Sequence, residues 1–154
     1  MTTPIKNTPK NLLTKRDNVI ADIKNSWSII ATNNVFPVGM KQKYDLNAVY
    51  GTIVKAEKTL VKTKVKLYLI NLGFTKLTDL PATNSHSIIA ELSQVKERIT
   101  KLNLIPTKKE EGETTVLTRA FIAKETVELL KKQKELEAAL ELFNSSIEFE
   151  DDAA

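Results

Sequence analysis

Four lysines at helical spacing are the residues of this sequence best placed to bind a charged partner. Lys55, Lys58, Lys62 and Lys66 follow one another at intervals of three and four residues. On an α-helix they share an arc of roughly 80° along three turns, since each residue turns by about 100°. Such a lysine row can follow the phosphates of a nucleic acid or meet an acidic protein surface. Further basic residues near the N-terminus could extend it, namely Lys6, Lys10, Lys15 and Arg16.

The composition of the lysine row favours a protein partner or solvent over nucleic acid. Arg16 is the only arginine of the extended set, although arginine is the usual ligand of phosphates and bases. No aromatic side chain lies between Lys55 and Lys66 to stack on single-stranded bases. The connections between the predicted helices are also too long for a helix-turn-helix motif. Nucleic-acid binding by an accessory protein is therefore the alternative.

The C-terminal segment combines two apolar side chains with a cluster of acids. Ile147 and Phe149 share one side of an extended strand, and Glu150 and Asp151 follow directly. A segment of this kind can add a strand to a sheet edge or insert two anchors into a groove of a partner. The alternative is a frayed terminus that serves solubility. If the segment docks, the basic first half of a neighbouring copy is its natural target.

Signatures of enzyme chemistry are missing from the sequence. There is no cysteine, and the single histidine, His86, stands between two serines, which is not the spatial arrangement of a catalytic triad. The four glycines are scattered and form no phosphate-binding loop. Glu125 and Glu128 lack the histidine that two-metal helical bundles place three residues after a glutamate, so a carboxylate-only metal site is the weaker alternative. We expect no catalytic residue, no cofactor and no metal.

Composition indicates one soluble domain. The chain has 154 residues, of which 42% are hydrophobic and 27% charged. No apolar run reaches the 18 residues of a membrane span, and the first ten residues lack the apolar segment of a secretory signal. The absence of cysteine agrees with a reducing compartment. We therefore expect a cytoplasmic protein, or a viral particle assembled in the cytoplasm, with no membrane partner.

Charge is distributed unevenly along the chain. Residues 1–80 hold 13 basic and 5 acidic residues, whereas residues 81–154 hold 10 and 14. The two halves could attract each other within one bundle, or head to tail between copies. The simpler interpretation is that these charges lie on solvated helix faces.

The stretch from Asp45 to Gly73 predicts the central helix of the fold. One apolar stripe contains Leu46, Val49, Ile53, Ala56, Leu60, Thr63, Leu67 and Ile70. A second contains Tyr50, Val54, Val61, Val65, Tyr68 and Leu72. A helix that is apolar on two flanks needs partners on both. We expect it to carry more apolar surface than the rest of the chain can cover, so that another molecule covers the remainder.

Three further helices follow from the same periodicity. They are predicted at about residues 9–32, 86–103 and 114–144, beside the central helix at about 45–72. The first carries Leu13, Ile20, Ile23, Trp27 and Ile30 on its apolar stripe, with Trp27 in the core. The third carries Ile88, Leu92, Val95, Ile99 and Leu102, with Arg98 on the opposite side, which predicts a peripheral helix. The last shifts its stripe midway, from Val116, Ala120, Ala123, Val127 and Leu130 to Leu136, Leu140 and Phe143.

The predicted fold is all-α, with four main helices and long heptad-like seams. It is a single domain over residues 1–154, arranged as an antiparallel bundle of helical hairpins with flexible tails at 1–8 and 146–154. The third and last helices form one hairpin. The apolar connection over residues 33–44 is expected to cap one end of the bundle, with an exposed contact loop as the alternative.

These observations favour a non-enzymatic structural or assembly protein. It would be homo-oligomeric or a component of a larger protein particle, with copies of itself or other assembly components as partners. The amino-acid composition, rich in Asn, Lys, Thr and Ile, is typical of proteins from AT-rich genomes, tailed bacteriophages included, and favours a virion component. The alternatives are the nucleic-acid accessory protein described above and a small regulator or inhibitor that binds a host protein through the acidic tail.

Overall fold

The computed structural model describes residues 3, 5–80, 84–108 and 110–153. Its four helices are α1 (Pro9–Asn33), α2 (Leu46–Asn71), α3 (Ser85–Asn103) and α4 (Arg119–Ser146). Two short strands, β1 (Val35–Pro37) and β2 (Glu113–Thr115), lie in the connections, and a 3₁₀ turn spans Leu77–Asp79. The predicted all-α fold with four main helices is confirmed. Parts of the predicted tails, residues 1, 2, 4 and 154, lie outside the described residues.

Local sequence sets the helix ends. Each helix begins after a side chain that accepts a hydrogen bond from a backbone N–H three residues later. These caps are Thr8, Asp45, Asn84 and Thr118. At the end of α2, Gly73 adopts φ +85°, and the Phe74 N–H donates to the Leu69 carbonyl over 3.0 Å. This is the glycine-dependent helix end that the position of Gly73 predicts.

The helices form two antiparallel hairpins packed through their middle members. α1 packs on α2, α3 packs on α4, and α2 also packs on α3. The hairpin of α3 and α4 is as predicted, and α2 has neighbours on both sides. The expectation that α3 is peripheral is wrong, because α3 lies between α2 and α4. α1 and α4 are the two outer helices.

One end of the bundle, here called the sheet end, is closed by contacts between the two hairpin connections. β1 pairs with β2 in antiparallel register, with Val35 opposite Thr115 and Pro37 opposite Glu113. The predicted start of the last helix at about residue 114 is therefore wrong, since these residues extend a strand and the helix begins only at Arg119. The connection after α1 caps the bundle as expected at β1, whereas Val38 and Met40 just beyond it are exposed.

The buried side chain of Asn34 links the two hairpins at the sheet end through hydrogen bonds. Its side chain is fully buried and donates from Nδ2 to the carbonyls of Pro106 (2.8 Å) and Leu117 (3.0 Å). Its Oδ1 accepts from the Leu117 N–H over 2.8 Å. The most deeply buried side chains concentrate at this end, and they include Ile30, Leu46, Leu102, Leu117 and Asn34 itself.

The opposite end, here called the open end, leaves apolar side chains uncovered. It contains the start of α1, the end of α2, the start of α3 and the end of α4. Exposed apolar residues at this end include Leu72, Phe74, Leu77, Ile89 and Leu142.

The central helix α2 exposes no large apolar side chain. Its exposed residues are Asn47, Ala48, Thr52, Lys55, Lys58, Lys62 and Asn71. None of them is a large apolar residue, because α1 and α3 cover the two apolar flanks. The expectation that another molecule must cover this helix is wrong.

The last helix buries a different stripe from the predicted one. Its buried residues are Ile122, Leu129 and Leu136, which are spaced by sevens. Val127 is 66% exposed and Leu130 is 44% exposed, so the predicted first half of the stripe faces solvent and no midway shift occurs. Both stripes are apolar in sequence, and only packing on α3 decides between them.

Candidate functional site

The lysine row lies on the one solvent-facing strip of α2. Lys55, Lys58 and Lys62 are exposed, whereas Lys66 is half-buried and lines a cavity at the open end. None of the four belongs to an ion pair among the described residues. Three of the four lysines are therefore free to meet an anionic partner along about 10 Å of helix.

The acidic tail continues from the last turn of α4 at the open end. The Ile147 N–H still donates to the Phe143 carbonyl, over 3.2 Å, and the backbone of Ile147 is extended. The described residues beyond it are exposed and have no regular secondary structure. Ile147 is 60% exposed and Phe149 is 87% exposed. Glu150 and Asp151 are exposed too, and no described ion pair joins this tail to the lysine row.

The tail holds the negative excess of the second half of the chain. Residues 147–154 contain four acidic residues and no basic one. The other 146 residues contain 23 basic and 15 acidic residues, a net charge of +8. The charge asymmetry is therefore between the body of the protein and its tail.

A groove between α1 and α3 is a feature that sequence reasoning missed. α1 and α3 both pack on α2 and scarcely on each other, so that part of α2 is left as the floor of an open cleft. This α1–α3 groove has a cavity of about 330 Å³, lined by Ile20 and Trp27 of α1, Leu60 of α2 and Gln94 of α3, among others. A second cavity of about 210 Å³ shares Trp27 and continues the groove toward the sheet end.

The α1–α3 groove is basic. Lys24, Lys64 and Lys101 line it, together with a single acid, Glu97. Lys101 Nζ lies 4.0 Å from Glu97 Oε1, whereas Lys24 and Lys64 belong to no ion pair among the described residues. The Nε1 atom of Trp27 is buried without a hydrogen-bond partner. Sequence periodicity identified Trp27 as a core residue but could not bring together lysines from three helices.

A buried polar cluster ties α2 to α3 and α4. Glu57 Oε2 lies 2.9 Å from Arg98 Nε, with the two side chains 5% and 16% exposed, although this N–H is not aligned for a hydrogen bond. The Tyr50 hydroxyl donates to Glu125 Oε2 over 2.8 Å, and its ring meets Phe121 edge to face. The placement of Arg98 on the outer side of its helix was wrong, since its guanidinium turns inward to this cluster.

Burial shifts the proton affinity of two groups in this cluster. It raises the pKa of Glu57 to about 7, against the opposing effect of the Arg98 guanidinium. It also raises the pKa of Tyr50 to about 12. The cluster joins three helices through interactions that require each partner to keep its place, which suits a role in fixing their packing.

The remaining candidates for chemistry have structural partners. His86 stacks on Tyr68, with ring centroids 3.2 Å apart, at the junction of α2 and α3. Within the described ranges, no group of three or more His, Cys, Asp or Glu residues is arranged to hold a metal ion. In the same part of the chain, no helix combines the length and apolar character needed to cross a membrane.

Comparison with known proteins identifies no relative of this chain. No protein family matches this sequence, and neither a curated protein nor a solved structure matches it.

Proposed function

We propose that the protein is a non-enzymatic assembly protein, which associates with further copies of itself or enters a larger protein particle such as a phage virion. The observation that carries this proposal is the uncovered apolar surface of the open end. There, Phe74 and Leu77 are 41% and 55% exposed around a cavity of about 460 Å³. Clustered apolar side chains at a surface typically mark a protein-binding site.

The exposed tail supports the same proposal. Ile147 and Phe149 are two exposed apolar side chains that follow the end of α4 at the open end and are flanked by acidic residues. Aromatic side chains are enriched at the centres of protein interfaces. The net charge of +8 on the other 146 residues would attract such a tail to a neighbouring copy.

Sedimentation velocity over a range of protein concentrations tests the proposal. We expect the wild-type protein to form dimers or larger species below about 100 µM, where associations of moderate affinity are populated. The double variant F74S/L77S should shift the equilibrium to monomer. The matched control is V38S/M40S, which removes two exposed apolar side chains at the sheet end and should leave association unchanged. A wild type that stays monomeric throughout contradicts self-association.

A second candidate function is nucleic-acid binding through the lysine row. Its support is the exposure of Lys55, Lys58 and Lys62 without ion-pair partners among the described residues. Phosphate contacts would give an affinity that falls steeply with salt, with a logarithmic slope of about −0.9 per contact on duplex DNA.

A salt titration with duplex DNA distinguishes this candidate. The variant K55E/K58E/K62E should abolish binding, whereas K124E/K131E/K134E, which makes the same charge change on exposed positions of α4, should retain most of it. Absence of binding by the wild type at low salt removes the candidate. Equal loss in both variants would indicate attraction to net charge rather than to the lysine row.

A further inference from the structure

We propose that residues Ile147–Asp151 of one copy bind in the α1–α3 groove of a second copy. This inference rests on the proposed self-association and adds a second contact to the one proposed at Phe74 and Leu77 of the open end. It follows from the dimensions, the chemistry and the position of the two regions.

The groove has the length of the tail's anchor segment. Along α1 it extends from Ile20 to Ala31, eleven residues that rise by about 16 Å. Five residues of extended chain, Ile147–Asp151, span about the same distance. The two joined cavities, of about 330 and 210 Å³, give room for two apolar side chains along this path.

The groove also has the chemistry that the tail requires. Ile20, Trp27 and Leu60 offer an apolar surface for Ile147 and Phe149, which lie on the same side of an extended segment. The intervening acids project to the other side of the segment, and three lysines line the same groove. The unpaired lysines Lys24 and Lys64 can then neutralise carboxylates that are solvated in the free protein.

The tail of the same copy cannot reach this groove with its anchors. α4 packs on the side of α3 that carries Asn103, whose side chain bonds Thr126, whereas Gln94 and Lys101 face the groove. α4 ends at Ser146, which is twenty residues beyond Thr126 and therefore about 30 Å nearer to the open end along the helix axis. The middle of the groove is thus about 20 Å away, and Phe149 extends only about 10 Å beyond the helix. A second copy must supply the tail.

Complementation between two full-length variants tests the proposal. I147S/F149S removes the apolar anchors of the tail and keeps the groove intact. K24E/K64E reverses the charge of two groove lysines and keeps the tail intact. We expect each variant alone to associate at least about 10-fold more weakly than the wild type in sedimentation velocity. An equimolar mixture should form a heterodimer, because one intact tail then meets one intact groove. Circular dichroism confirms that each variant is folded, and K24Q/K64Q provides a milder groove variant.

Fluorescence and a charge-matched variant make the readout specific. Trp27 is the only tryptophan and lines the groove, so its emission should change when the heterodimer forms. K131E/K134E changes the net charge as much as K24E/K64E but on exposed positions of α4, and it should associate as the wild type does.

The outcomes separate this inference from the proposed function. If the wild type associates and neither variant weakens it, or if K131E/K134E weakens it equally, the tail-in-groove contact is overturned while self-association stands. If the mixture of variants stays monomeric although the wild type associates, the contact is overturned as well. A wild type that is monomeric at every concentration overturns both. A monomer whose Trp27 emission changes in I147S/F149S shows docking within one copy and overturns the need for a second.

Discussion

The two ends of the bundle are built from the same four helices but are closed differently. At the sheet end, β1 pairs with β2, and Asn34 bonds three backbone groups of the other hairpin and its connection. At the open end, the described residues contain no strand pairing between the hairpins, and Leu72, Phe74 and Leu77 remain exposed. Long-range hydrogen bonds therefore accompany the fully buried side chains at the sheet end, although Val38 and Met40 beyond β1 stay exposed, whereas the open end has helix packing without a strand pair.

Under the proposed function, the two ends of the bundle would have different roles. The sheet end stabilises the relative position of the two hairpins within one molecule. Under the same proposal, the open end and the tail that leaves it would offer the surface for other molecules. Substitutions that compare the two ends should therefore separate effects on stability from effects on association.

The largest effect is expected from removing the same side chain volume at each end. Leu117 is 1% exposed beside Asn34, and Leu142 is 70% exposed on α4 near the open end. Leu117→Ala should lower the free energy of unfolding by about 4 kcal/mol, because it leaves a cavity in a close-packed site. Leu142→Ala should change it by less than about 0.5 kcal/mol. Urea denaturation measures both, and similar losses would show that the two ends are equally packed.

The next effect tests the polar link at the sheet end. Asn34→Ala leaves the backbone groups of Leu117 and Pro106 without their partner and should cost about 3 kcal/mol. Its neighbour Asn33 donates only to Ile29 within its own helix, over 2.8 Å. Asn33→Ala is therefore the matched control and should cost less than about 1 kcal/mol. An equal loss of unfolding free energy in both variants would contradict the proposed role of Asn34 in linking the two hairpins.

A pH-dependent effect is expected between the two ends, at Glu57. Its pKa is about 7 in the folded protein against 4.5 for the free side chain, so the folded state holds the proton more tightly. Stability from this group is present below about pH 4.5 and is lost as the pH rises through about 7, by about 3 kcal/mol. Glu57→Gln should abolish this part of the pH dependence in urea midpoints from pH 4 to 8. An unchanged pH profile in the variant would contradict the raised pKa.

The smallest effect contrasts two glycines. Gly73 has φ +85° at the end of α2, so Gly73→Ala should destabilise the protein by about 1 kcal/mol. Gly51 lies inside α2, where an added Cβ meets no atom within 4 Å, so Gly51→Ala should stabilise it by up to about 1 kcal/mol. Thermal unfolding of both variants checks the opposite signs. Shifts of the same sign would contradict this assignment of the two backbone environments.

Features that depend on neighbouring residues could be predicted from the sequence. The caps Thr8 and Asp45 and the helix end at Gly73 act within a few residues, so the bounds of α1 and α2 follow from local chemistry. The seam of α3 was also readable, because Leu92, Val95 and Leu102 form one unambiguous stripe.

Features that depend on distant residues could not be predicted. β1 and β2 have only three residues each and pair across 80 positions, so neither gives a periodic signal of its own. The face of α4 was ambiguous because Val127 and Ile122 belong to two apolar stripes, and only α3 selects between them. The α1–α3 groove exists because α1 and α3 leave a gap over α2, which no pattern within one helix can reveal.

The pairing of β1 with β2 also bears on how the chain folds. Each hairpin joins two helices that are consecutive in sequence, and such local contacts form earlier and at a lower entropic cost than contacts between the hairpins. Bringing Val35 to Thr115 closes a far longer loop, so this contact is expected to form after both hairpins exist. Weakening the strand pair should then accelerate unfolding while leaving the folding rate nearly unchanged. The strand pair at the sheet end would thus slow the unfolding of the native state.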